Sequence, residues 1–332
     1  LVLLVAEILR QGQARKAHAH SRSGRLVHLS VYQRCFFNYA ALLHFIIEVV
    51  AFTGTLADTG EDRDAAVLVC DIVGHSKVGM SAMQPILSYL GFTTFSLPTA
   101  LVSNNFAYGN YSVLNTTDYI AETLGIWESL GFTNEVICTG WMYSEEQAQM
   151  VAQFCRRQAE KGTLILVDPV MGDGGQLYKG MSNVQIEAMR LMVAVADLIF
   201  PNYTEACLLT GNAFQSDGQT WTETCQLIDQ LRSLGSRSVL ITSCKIDGKH
   251  AVAGYDHHTQ RFFMLEYDEI PVQFPGTGDI FSAILTAHLL KGQPLEEATR
   301  LAMNTVYQLI DLKKANQDIN EGIPIEQYLH LL

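Results

Sequence analysis

From residue 66 onward the apolar residues fall into two kinds of block. Short β-rich runs such as Ala66–Val73 (A-V-L-V-C-D-I-V) have the continuous pattern of strands buried on both faces. Between them lie blocks with helical spacing, first Ser81–Leu90, where Met83, Ile86, Leu87 and Leu90 recur on one face. Pro85 inside that block is awkward and predicts a first-turn position or a kink. The same reading predicts strands at Thr93–Leu97, Glu135–Thr139, Thr163–Val167, Asp197–Phe200 and Ser238–Thr242, and a hairpin from Val252–Tyr255 and Phe262–Glu266. It predicts helices at Tyr119–Leu130 and Asp279–Leu290, a capping box at Ser144–Gln147, and Thr204 as the cap of another helix. Strands alternating with helices predict an α/β fold, with a mostly parallel sheet flanked by helices on both faces. No repeat or domain boundary interrupts residues 66–332.

Residues 1–65 break this pattern. Six basic residues and one acid occupy positions 1–34, followed by an apolar run from Cys35 to Ala57. That run is long enough to cross a bilayer, but Asn38, His44 and Glu48 interrupt it, and a central Glu in lipid costs a few kcal/mol. A membrane anchor, an extra packed helix and a non-native extension all compete; the extension is favoured because the chain begins at Leu1 and the segment lacks the chemistry found downstream. Asp58–Asp64 reads as a linker.

Composition then narrows the function. The chain has 332 residues, 48% of them hydrophobic, and a formal net charge of −12. That supports a large core and excludes disorder. Its negative charge argues against a nucleic-acid partner. Residues 1–65 carry a net +1, leaving −13 on residues 66–332. The seven cysteines form no C-x-x-C pair. Scattered thiols suit a reducing cytoplasm and argue against disulfides or a thiolate zinc site.

In sheets of this kind, chemistry gathers at the carboxyl ends of the strands. Pro275-Gly276-Thr277-Gly278-Asp279 opens an apolar helix. Its glycines allow a tight bend and close approach, the helix start offers unpaired N–H groups to an anion, and Asp279 stands beside them as a candidate base. The set suits phosphoryl transfer; an ordinary N-cap Asp after a Gly-rich turn is the competing reading. Asp168-Pro169-Val170-Met171-Gly172-Asp173 leaves a strand with two acids able to hold Mg²⁺ against phosphates, against the bland reading of a polar turn. Pro201-Asn202-Tyr203-Thr204-Glu205 puts a third acid at a helix start.

These motifs, in this order, resemble the ribokinase superfamily, and within it the pyridoxal kinase type. Gly276–Asp279 matches the superfamily signature. Asp168–Asp173 with Tyr178, Leu97-Pro98-Thr99-Ala100 with Ser103, Thr139-Gly140-Trp141 with Glu146-Gln147, and Pro201-Asn202-x-Thr204-Glu205 match further elements across residues 66–332. The resemblance implies a ribokinase-like three-layer sandwich and ATP-dependent phosphorylation of the 5′-hydroxyl of a B6 vitamer. It implies Asp279 as base and the Gly276-Thr277-Gly278 amides as anion hole. Asp168, Asp173 and Glu205 would serve the metal; Asn202, Thr242 and Thr277 the nucleotide; Thr99 and Tyr178 the vitamin. It further implies Mg²⁺, a monovalent cation and a homodimer.

Two positions depart from the family pattern. Val73 falls where the family places a substrate-binding Ser, with Ser76 three residues on, and Asn105 falls where it places a His. A hydroxymethylpyrimidine kinase, a sugar kinase and a non-catalytic nucleotide-binding protein remain alternatives. Asp279, where hydroxymethylpyrimidine kinases carry Cys, favours the pyridoxal kinase type.

Overall fold

The computed structural model describes residues 65–315 and 318–332. The expectations for residues 1–64, including the apolar run 35–57, lie outside them. Eleven strands follow in chain order among the described residues: β1 (Ala65–Val73), β2 (Thr93–Val102), β3 (Val113–Asn115), β4 (Val136–Thr139), β5 (Leu164–Val167), β6 (Gly172–Asp173), β7 (Gln176–Leu177), β8 (Leu198–Ile199), β9 (Ser238–Ile246), β10 (Lys249–Asp256) and β11 (Arg261–Glu266). The helices are α1 (Met80–Tyr89), α2 (Thr117–Leu130), α3 (Glu145–Ala159), α4 (Asn183–Val193), α5 (Tyr203–Thr210), α6 (Trp221–Ser233), α7 (Thr277–Leu290) and α8 (Leu295–Lys313).

Nine strands form one sheet in the order β11-β10-β9-β8-β5-β4-β1-β2-β3, and β6 and β7 pair separately. The centre, from β2 to β9, is parallel. The edges β3, β10 and β11 are antiparallel.

Strand alternation explains the three layers. In β1, Val67 and Val69 enter the core under α2 to α6, while Ala66, Leu68 and Cys70 enter the one under α1, α7 and α8. With both faces covered, the strand is apolar from Ala65 to Cys70, and Asp71 is its one acid. The α/β sandwich expected from the sequence is therefore the fold observed.

Several expectations need correction. Pro85 lies inside α1, beyond its first turn. β2 continues through Pro98 to Val102 and carries one extra residue near Asp71, since Cys70 pairs with Pro98 but Ile72 with Leu101. The cap of α5 is Asn202, in a reciprocal box with Glu205. Thr204 instead accepts the Gly175 N–H at 2.9 Å. At α3, Ser144 caps Gln147 N, but the Gln147 side chain accepts from Tyr143 N rather than from the cap residue. Helices α4, α6 and α8 were not expected from periodicity. Among the described residues, no helix is long and apolar enough to cross a membrane.

Candidate active site

Four acids meet the carboxyl end of the sheet. Asp71 ends the polar-free part of β1, Asp168 follows β5, Glu205 lies in the first turn of α5 and Asp279 in the first turn of α7. Among the described residues none of the four forms an ion pair with a Lys, Arg or His. Burial therefore acts unopposed by a cation and favours their protonated forms.

The acids differ in how far they are pushed. Burial raises Asp279 to about 6, opposed by hydrogen bonds from the backbone N–H groups of Gly79 and of Asp279 itself. Burial and then the Asp279 charge raise Asp71 to about 7. The same two causes raise Asp168 to about 8, against a hydrogen bond from Ser282. Asp279 is thus the first of the three to ionise, because two amides already favour its carboxylate. That is the property a general base needs near neutral pH.

Beside Asp279, the turn into α7 presents its backbone. Gly276 is the N-cap with φ +86°, and no side chain caps the helix. A Cβ on Gly276 would lie 1.9 Å from the Lys77 carbonyl oxygen, whereas one on Gly278 would meet nothing within 4 Å. Gly276 is required for the bend, and Gly278 leaves the face of the turn open. The Thr277 N–H reaches only the Phe274 carbonyl, at 3.5 Å, so with no cap side chain the Thr277 and Gly278 amides and the helix dipole make this an anion-binding surface. Ser282, one turn along α7, lies 3.0 Å from Asp168 Oδ2 and 2.8 Å from the Gly278 carbonyl, so it ties Asp168 to the same turn.

The Asp168–Gly175 loop is held by the residues that sequence reasoning placed on the ligands. Glu205 accepts from Met171 N at 2.9 Å, Gly172 N at 3.5 Å and Asn202 N at 2.9 Å. Burial and Asp168 push Glu205 upward, and these amides pull the other way. Asn202 donates to the Gly172 carbonyl at 2.8 Å and accepts from Glu205 N. Both side chains are scaffold for the loop. Asp173 is exposed in the small β6–β7 hairpin and accepts from Gly174 N. Among the described residues, no group of three His, Cys, Asp or Glu side chains could hold a metal ion. The expected trio Asp168, Asp173 and Glu205 is therefore not assembled.

Other expected residues fall around this centre. Tyr178 is 40% exposed, yet its hydroxyl is pushed upward by partial burial and then by the charges of Glu205, Asp173, Asp168 and Asp279. Thr242, expected to end its strand, is half-buried in the middle of β9, which continues to Ile246; it bridges to Asn202 and precedes Ser243, whose φ is +57°. Thr99 is fully buried and donates to the Trp141 carbonyl at 2.7 Å. Its hydroxyl positions Trp141. Val73 lies in a small apolar cluster with Ala100 and Val102, against which Val78, Phe106 and Trp141 pack. The Trp141 Nε1 is buried with no hydrogen-bond partner.

Three features escaped the sequence reading. Asp71 had a signal, an acid within an otherwise apolar strand. Ser282 had one too, lying three residues after Asp279 on the same helix. The third is a cavity of about 540 Å³ just upstream of the Gly276 turn, lined by Glu269, Ile270, Pro271, Val272, Gln273, Lys314 and Ile319; its walls come from segments without periodicity.

A three-layer sandwich with an uncapped Gly-rich helix start, and a carboxylate beside it, defines a kinase of the ribokinase-like class. The comparisons with known proteins agree. The family profile of the phosphomethylpyrimidine kinases matches residues 74–324, and the chain belongs to that family. The pyridoxal kinase of Sus scrofa is 30% identical over 254 residues, covering 69% of this chain and 76% of the relative. That of Arabidopsis thaliana is 29% identical over 271 residues, covering 75% and 85%. A Bacteroides thetaiotaomicron protein assigned to the phosphomethylpyrimidine kinases, crystallised with pyridoxal, superposes with a TM-score of 0.77 at 31% identity, covering 81% of this chain and 96% of that one.

Proposed function

We propose that this kinase transfers the γ-phosphoryl group of ATP to the 5′-hydroxyl of pyridoxal, pyridoxine or pyridoxamine. The observation that carries the reading is Asp279, the first of the three aspartates to ionise, set in the first turn of a helix whose N-cap is a glycine. Asp279 takes the proton of the attacking hydroxyl. The first-turn amides of α7 bind the phosphoryl oxygens as negative charge gathers on them. The cavity lined by Ile270, Val272 and Ile319 takes the nucleotide base. Tyr178 covers the acceptor, and Thr242 and Ser243 border the phosphates.

A buried, cation-free acid such as Asp168 fits Mg²⁺, which binds through one or two carboxylates and completes its shell with water and substrate phosphate. When bound, the ion neutralises phosphate charge that the −13 domain would otherwise repel. Asp168 is the residue that would hold it, oriented by Ser282.

A coupled ATPase assay of the full chain across the three vitamers and hydroxymethylpyrimidine tests the reading. Turnover with a vitamer supports it. Turnover with hydroxymethylpyrimidine alone transfers the assignment to the second substrate class, and turnover with none removes it. Three further parts follow from the family resemblance: a homodimer, checked by light scattering; activation by a monovalent cation, checked by a potassium titration; and residues 1–65 as a separable extension whose deletion leaves turnover intact. A reducing cytoplasm fits the six free cysteines among the described residues.

A further inference from the structure

The loop between β1 and α1 joins the two halves of the site, and something distant holds it. Ser76, within this loop, has φ +105°, a conformation non-glycine residues rarely adopt. Backbone strain of this kind persists only where the surroundings enforce it. Here the surroundings are the far end of the chain. Ser76 Oγ lies 2.8 Å from the Asn320 carbonyl and 3.0 Å from that of Glu321, so it donates to this pair. Lys77 N–H donates to the Glu321 carbonyl at 3.3 Å, and the Lys77 ammonium pairs with Glu326. Asn105 adds a hydrogen bond from Nδ2 to the Asn320 carbonyl at 3.3 Å, and another from its N–H to the His75 carbonyl at 3.1 Å. Ser76 and Asn105 thus both turn onto Asn320.

The opposite side of the loop meets the anion-binding turn. The Lys77 carbonyl stands where a Cβ of Gly276 would collide with it, and Gly322 lies close to both Pro275 and Lys77. The loop is therefore held between the Gly276 turn and the segment Asn320–Gly322. Two residues beyond Lys77, Gly79 packs on β1, where a Cβ would lie 2.6 Å from the Asp71 carbonyl oxygen, and its N–H favours the ionised form of Asp279.

We propose that Ser76 is a positioning residue: by its hydrogen bonds to Asn320 and Glu321 it clamps the β1–α1 loop against the Gly276 turn, and so fixes the start of the helix that carries Asp279. The inference rests on the kinase reading above, since the base it orients acts on the acceptor hydroxyl. A base displaced by a fraction of an ångström loses turnover without losing nucleotide affinity, and ~1 Å of misplacement can cost ~10²-fold.

The test uses the full chain with Ser76→Ala and Ser76→Gly. Both remove the hydroxyl, and the glycine also relieves the positive φ, so it keeps the fold at least as well. Both variants should lose about ten-fold or more in kcat, with the KM for ATP unchanged and no loss of Tm in Ser76→Gly. Without any substrate, the amides of residues 76–79 should exchange with deuterium at least ~10-fold faster than in the wild type. Wild-type kcat in Ser76→Gly overturns the proposal, as does a loss of kcat that only tracks a loss of folded protein. If the wild-type chain phosphorylates none of the acceptors, the kinase reading fails, and the exchange experiment still decides the clamp: faster loop exchange supports it and unchanged exchange overturns it.

Discussion

On the phosphate side of the site, the contacts offered to a ligand are mostly main chain. Uncapped amides open α7, and the side chains that look like ligands, Asn202 and Glu205, instead fasten the Asp168–Gly175 loop. On the side proposed for the acceptor, the offer is made by side chains: Asp71, Trp141 with its unpartnered Nε1, and an apolar patch around Val73. A backbone surface is specified by glycines and by whatever keeps the loops in shape. It survives changes in many neighbouring side chains but fails abruptly when a Cβ intrudes. A side-chain surface can be retuned one residue at a time. Substrate choice in this kinase should therefore be set on the acceptor side, and competence for phosphoryl transfer on the other.

The sharpest break in that comparison is Asp279→Asn, which removes the proposed base shared by both sides. It should lower kcat by ~10²-fold or more while leaving the KM for ATP nearly unchanged, as steady-state kinetics will show. Next is Gly276→Ala, which drives a methyl group into the Lys77 carbonyl at φ +86°. It should abolish nucleotide binding in a titration and cost roughly 1–3 kcal/mol in chemical denaturation from the strained backbone alone.

The pH dependence distinguishes the two halves by sign. Activity should rise with pH as Asp279 ionises through about 6. Stability of the unliganded protein should move the other way. The folded-state values of Asp279, Asp71 and Asp168 lie near 6, 7 and 8, all above the ordinary 3.8 of a free Asp. Between those limits the native state binds more protons than the unfolded chain, so this contribution is complete below about 4 and is lost as pH rises towards 8. Asp71→Asn removes one of the repelling charges and should raise Tm at pH 8 by about 2–4 °C, the shift that ~1 kcal/mol produces in a domain of this size. The same variant should raise the KM for the acceptor and not for ATP. The smallest effect is expected for Trp141→Phe, which deletes the unpartnered N–H. A loss limited to roughly three- to ten-fold in acceptor KM, the scale of one hydrogen bond, would place the indole against the substrate; an unchanged KM would return it to packing.

Much of this could be read before the fold was known. The strand β1 announced itself because both of its faces are buried, and α7 because a Gly-rich turn precedes an apolar helix. What could not be read was the use of the polar residues. Asn202 and Glu205 have the composition of a ligand-binding pair and also that of a capping box, and only the positions of Met171 and Gly172 show that the second use dominates. Helix α6 was missed although Thr220 and Glu223 form such a box at its start. The shared partner of Ser76 and Asn105 is Asn320, which lies more than two hundred residues away in the chain. No local pattern carries that information.

The near-contact of Gly276 with Lys77 has one more consequence. The turn proposed to receive the phosphates and the loop proposed to flank the acceptor touch through backbone, with no side chain between them to yield. Occupancy of one half must then be felt as free energy in the other. Whatever factor ATP contributes to acceptor affinity, the acceptor must return to ATP, because such linkage is reciprocal. The two substrates of this enzyme are therefore expected to bind cooperatively, with a single glycine as the point of exchange.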